Sequence, residues 1–207
     1  MKSWGLWVLV SVTVAAAAVV SVIGGSLKEV HLRSQESQQA SVAYTPTATI
    51  KDLMDAVVDP SADDVWNAVS STVEKGGIRE RAPKTDKEWA DVRHGALRLV
   101  EGANLLMMPG RHMARPGEKS ETPGVELEPA EMEALMNKDR AAWTARARRL
   151  QDVSLEVLKV VDAKDAGKLT DVGGELDTAC ENCHRQYWYP NEKIPDLPAD
   201  PPAAGAK

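Results

Sequence analysis

Phenylalanine is absent from this 207-residue chain and tyrosine occurs only three times, against six tryptophans. The flat side chains available to a core are therefore mostly indoles, whose N–H needs a partner wherever it is buried. Cysteine is nearly absent too: two residues exclude a disulfide-dense scaffold and leave one pair to account for. There is no surplus of positive charge, since 25 Lys and Arg face 31 Asp and Glu for a net charge of −6. A nucleic-acid partner is excluded on that balance, because phosphate binding draws on a basic excess, whereas a protein partner is not. No internal repeat is evident, and no segment alternates apolar and polar residues as a half-buried strand would. What remains is a composition with 43% hydrophobic and 27% charged residues, that of a globular helical protein.

Residues Trp4 to Ile23 carry no charge, some 20 positions, enough to cross a hydrocarbon layer as a helix. Residues 1–25 read as a transmembrane anchor in preference to a cleaved secretory signal, whose apolar core is shorter. Residues 26–46 are polar, Gln-rich over 35–39, and read as a tether. The folded domain is expected over 47–189, and residues 190–207, with Pro195, Pro198, Pro201 and Pro202, as a disordered Pro/Ala-rich tail.

Within the domain the apolar spacing gives four helical segments. The first runs from Thr47 to Val58, is kinked or interrupted at Pro60, and resumes through Val65, Trp66 and Val69. The second opens at Thr85, with Glu88 three places on as a capping box. Its stripe is Trp89, Val92, Ala96, Leu99, Ala103 and Leu106, and it stops near Pro109 and Gly110. Residues 113–125, with two Pro-Gly pairs, form a loop. The third helix starts at Pro129 and is predicted to continue unbroken to Val160. After a break over 162–167 the fourth carries Leu169, Val172, Leu176, Cys180, Cys183 and Tyr187 on one face. The expected fold class is all-α: an antiparallel four-helix bundle with an N-terminal transmembrane helix. Each segment brings one indole, Trp66, Trp89, Trp143 or Trp188, as a core or rim residue or as a wall for a flat cofactor.

Both cysteines occur in Cys180-Glu181-Asn182-Cys183-His184, the C-x-x-C-H pattern of c-type haem attachment. A spacing of three puts both thiols on one helical face, where they can form thioethers to one porphyrin. The adjacent imidazole then reaches the iron. A disulfide one helical turn apart would constrain almost no chain entropy. A thioredoxin-type thiol belongs at a helix N-terminus, where the dipole lowers its pKa, but this pair lies near a helix C-terminus. Zinc would need further ligands, and only His31, His94 and His112 remain as histidines. One covalent haem c, held by Cys180 and Cys183 with His184 as an iron ligand, is the expectation. Attachment of this kind takes place outside the bacterial cytoplasm, which puts the domain in the periplasm. It would be held at the inner membrane by the N-terminal helix, or be soluble there after signal cleavage.

On that motif, near the end of the last of four helices, the chain resembles the cytochrome c prime superfamily, the class II c-type cytochromes, over about Thr47 to Tyr189. Tyr187 matches the aromatic residue that members commonly carry three places after the His. Trp188 stands where they commonly have Arg. The resemblance implies a haem protein without enzymatic chemistry, often a homodimer. In its low-spin branch a Met on the first helix completes the iron's coordination and suits electron transfer to a redox partner; Met54 is the matching residue. In its gas-binding branch that position is apolar and the haem takes up NO or CO. A peroxidase is disfavoured, because no distal His with an Arg partner is evident. Met107, Met108 and Met113 read as a core plug, and His112 as solvated or facing a haem propionate. His94 reads as surface, and Lys138, Arg140, Arg146, Arg148 and Arg149 as a solvated helix face.

Overall fold

A computed structural model of the chain describes residues 44–192, all but the first two of which belong to one unit beginning at Pro46. The expected membrane span Trp4–Ile23, most of the tether and nearly all of the tail lie outside the described residues. Among the described residues no helix is long and apolar enough to cross a membrane.

The fold is mostly helical. Helix α1 (Ile50–Leu53) starts from Thr49, whose hydroxyl accepts from the Asp52 N–H while the Asp52 carboxylate accepts from Thr49 N–H. It runs into a π-helical turn (Met54–Val58) and then α2 (Asp59–Trp66). Pro60 was expected to kink or interrupt this rod, and its effect is subtler. A proline lacks the N–H that would bond back one turn and crowds the carbonyl there; the backbone widens to the π form just ahead of it and then continues. Helix α3 (Asp86–Met107) begins at the expected Thr85–Glu88 capping box and ends before Pro109. Every residue of its predicted stripe is buried.

The expected third helix is two helices. The chain forms α4 (Pro129–Lys138), breaks at Asp139 and resumes as α5 (Arg140–Asp162). Asp139 leaves helical geometry at φ −141°, ψ 80°, and its carboxylate accepts from Ala142 N–H. A short acidic side chain that caps α5 thus competes successfully with helix continuation. Helix α6 (Ala166–Tyr187) is capped likewise by Asp165 and carries the Cys-x-x-Cys-His segment in its last turns.

The strands β1 (Ser70–Glu74) and β2 (Gly77–Arg81), which the apolar pattern did not announce, form an antiparallel hairpin with Val73 opposite Ile78. All ten residues are exposed, so no buried face imposes alternation; Gly76-Gly77, with Gly77 at φ +127°, was the legible turn signal.

Packing closes a ring: α2 against α3, α3 against α5, α5 against α6, and α6 back against α2. The α2–α3 contact is close. A Cβ placed on Gly95 would stand 2.7 Å from Asp64 Cβ, and one on Gly102 would stand 3.2 Å from Val58 Cγ2. The core runs through Leu99, Val153, Val157, Leu169 and Leu176, all fully buried. Arg111, 9% exposed, ties the ends of α1 and α3 together. It donates to the Leu105 and Ala48 carbonyls at 2.9 and 2.7 Å.

Candidate functional site

At one end of this ring a cavity of about 520 Å³ opens between the α1–α2 rod, α5 and α6, within the usual range for cofactor sites of roughly 300–1,000 Å³. Helix α6 contributes Cys180, Cys183 and His184, and the π turn contributes Met54. A smaller adjoining cavity of about 140 Å³ shares Met54, Asp59, Trp143, Cys183, His184 and Trp188 with the first. The four residues singled out in the sequence are therefore brought together from two different rods. The π turn matters here. Leu53, Met54's neighbour, is buried in the core, while Met54 is half-buried on the cavity wall.

Three of the four indoles wall the larger cavity. Trp66 donates its Nε1–H to the Gly173 carbonyl at 3.0 Å, and Trp143 donates to the Leu106 carbonyl at 2.8 Å. Both rings are thereby fixed while their apolar faces line the space. Trp188 borders it at the surface, whereas Trp89 is an ordinary core residue away from it. With Val58, Ala62, Leu106, Ala147, Leu150 and Ala179 they make a largely apolar chamber next to two thiols and an imidazole.

Electrostatics separate the rival chemistries. Burial pushes the Cys180 thiol up to about 12, with nearby Cys183, Asp177 and Asp59 adding in the same sense. A redox-active or metal-seeking cysteine needs the opposite, so a thioredoxin-like role fits badly. The two sulfurs form no disulfide. Among the described residues no three His, Cys, Asp or Glu side chains are grouped to hold a bare metal ion. A haem would need no such group, because its porphyrin nitrogens supply most of the iron's ligands. Burial holds the His184 imidazole below its ordinary value, opposed by the charges of Glu181 and Asp59. That direction favours the neutral imidazole, the form that binds metal.

The His184 ring packs against two neighbouring aromatic rings that also touch each other. Trp188 meets it edge-on at a centroid distance of 5.2 Å and Tyr189 at 5.9 Å. They are brought there because the chain turns at the end of α6, where Trp188 N–H and Tyr189 N–H both donate to the His184 carbonyl, at 2.7 and 3.1 Å. Tyr189 Oη in turn donates to both Glu181 carboxylate oxygens at 2.8 Å. Tyr187, three places after His184, is buried against Trp143 in an edge contact of 5.0 Å.

Several polar residues of the site were not anticipated. Arg146, assigned from the sequence to a solvated face, is half-buried on the cavity wall and donates to Gln186 Oε1 at 2.9 Å. Its position three residues after Trp143 and four before Leu150 places it on α5's inner face, a legible signal outweighed by its membership of a basic run. Arg149 is also half-buried, beside Glu175 at 3.4 Å, while Lys138 and Arg148 are exposed as expected. Asp59, Asp177 and Glu192 add acidity to the cavity lining. Asp59 is raised above the usual carboxylate range by burial, against the pull of His184. His94 is exposed, and exposed His112 pairs with Glu133 at 3.0 Å and lines neither cavity. Met113 is buried in the core and Met107 packs against it.

No family model matches the chain, and neither the curated proteins nor the solved structures contain a match to it. The chemistry of the site itself therefore carries the functional reading.

Proposed function

We propose that the chain is a membrane-tethered, periplasmic c-type cytochrome of the class II kind, a four-helix bundle that carries one covalent haem and transfers electrons. The observation that carries this is the meeting of two thiols and an imidazole from one face of α6 with the Met54 thioether of the facing rod, in one aromatic-walled cavity. The residues present fit the group. Cys180 and Cys183 would hold it by thioethers, His184 would ligate its iron, and Trp66, Trp143 and Leu150 would exclude water from its faces. Haem supplies a one-electron couple, and a Met ligand raises its reduction potential relative to a stronger donor such as a second imidazole. The rest is done by the chain: Met54 offers a soft ligand, and the fixed indoles keep the site from reorganising between oxidation states. The acidic cavity margin and the net charge of −6 favour a basic redox partner.

A second reading has its own observation. Met54 is only half-buried, and the small cavity of about 140 Å³ beside it, lined also by Ile50, Met113 and Met132, could admit a diatomic gas. The haem would then be a five-coordinate module for NO or CO. The visible spectrum of the reduced protein separates the two. Electron transfer with His184 and Met54 ligation predicts sharp α and β bands that Met54→Ala abolishes; broad high-spin bands in the parent protein would favour gas binding.

A further inference from the structure

Glu181 stands inside the Cys-x-x-Cys-His segment, and its carboxylate is half-buried beside His184. It lies 3.8 Å from His184 Nδ1 and is pinned by the Tyr189 hydroxyl, which reaches both of its oxygens at 2.8 Å. Glu181 and His184 are both sheltered, at 28% and 21% side-chain exposure, and Trp188 and Tyr189 contact the ring edge-on. With Nδ1 turned to a carboxylate, Nε2 is the nitrogen left for a metal. Metal-binding histidines commonly give their second ring N–H to such an acceptor, which fixes the tautomer and makes the imidazole a stronger donor. The distance is that of an ion pair, a fraction of an ångström longer than a hydrogen bond, and a small side-chain rotation closes it.

We propose that Glu181, locked by Tyr189, is a positioning residue that takes the Nδ1–H of His184 and strengthens His184 as an iron ligand, so lowering the reduction potential of the bound haem. This rests on the haem reading above. A more electron-rich imidazole stabilises the ferric state, so removing the carboxylate shifts the equilibrium toward the ferrous state.

The test is potentiometry of the haem-loaded full chain. Glu181→Gln is expected to retain a full complement of haem and to raise the equilibrium constant for reduction about tenfold, the lower end of what losing a carboxylate partner of a metal-binding histidine does, or ~59 mV for one electron. Glu192→Gln removes a carboxylate from the same cavity without touching His184, and its shift is expected to be several-fold smaller. Tyr189→Phe keeps the ring and loses only the lock; it is expected to move the potential in the same direction as Glu181→Gln, and so keeps the test intact should the latter impair haem attachment. An unmoved potential in a haem-loaded Glu181→Gln or Tyr189→Phe protein, or equal shifts for Glu181→Gln and Glu192→Gln, overturns the proposal and leaves the haem reading standing. A parent chain that carries no haem overturns the haem reading itself.

Discussion

Replacing Arg111 by glutamine tests how the Met54 rod is held. The guanidinium is 9% exposed and donates to the Leu105 carbonyl at the end of α3, which it shares with Met108 N–H, and to the Ala48 carbonyl just before α1. Each hydrogen bond from a charged donor to a sheltered carbonyl contributes about 1.5–3 kcal/mol. Two of them, discounted because a shorter amide can recover part of one and water can reach the loop, give an expected loss of ~3 kcal/mol. For a domain of this size that is a fall in Tm of roughly 6–12 °C, followed by far-ultraviolet circular dichroism. Arg111→Lys recovers less than half, because a single ammonium cannot span two carbonyls in fixed directions. Since Ile50 N–H and Lys51 N–H also bond to the His112 and Met113 carbonyls, loosening this corner should also weaken the proposed ligation of haem iron by Met54 below the melting transition. A fall in Tm under about 2 °C, corresponding to less than ~1 kcal/mol, would refute the claim that Arg111 fastens the two helix ends.

Gly95→Ala should destabilise the fold by about 1–3 kcal/mol, the ordinary cost of overpacking, because its methyl would meet Asp64 Cβ at 2.7 Å and the Ser61 carbonyl at 3.1 Å; chemical denaturation showing no loss would mean the α2–α3 approach is looser than described. The Glu133 carboxyl is held below its ordinary value of 4.5 by the Met113 N–H, with His112 assisting against burial. A depressed carboxylate contributes stability above its unfolded pKa that is lost as pH falls through the folded one, so acid titration of the parent should show a loss below about pH 4.5 that Glu133→Gln flattens; identical acid profiles would contradict it. Trp143→Phe leaves the Leu106 carbonyl without its 2.8 Å donor inside the core and should cost about 1–3 kcal/mol, read in the same denaturation assay.

Much of this architecture was legible in the sequence wherever a buried face imposed its period. The α3 stripe from Trp89 to Leu106 is buried throughout, and the Thr85–Glu88 cap sets its start as expected. The α6 face is equally regular, with Leu169, Val172, Leu176 and Tyr187 buried and both cysteines on the cavity wall. What could not be read was decided by groups that leave no periodic trace. Asp139 breaks a continuous apolar stripe through one capping bond. Pro60 widens a turn instead of ending a helix, which sets the turn from which Met54 reaches the cavity wall. Arg146 was hidden in a basic run of which Lys138 and Arg148 do face water. The aromatic packing on His184 depends on a chain reversal at Trp188 and Tyr189 that only the backbone bonds to the His184 carbonyl reveal.

Covalent haem is the claim on which the functional account stands, and the intact mass of the full chain, produced in cells with haem-ligation machinery, tests it most directly. The parent protein is predicted to weigh one haem more than its polypeptide, and Cys180→Ala/Cys183→Ala to weigh the polypeptide alone. A parent mass equal to the bare chain would contradict the account.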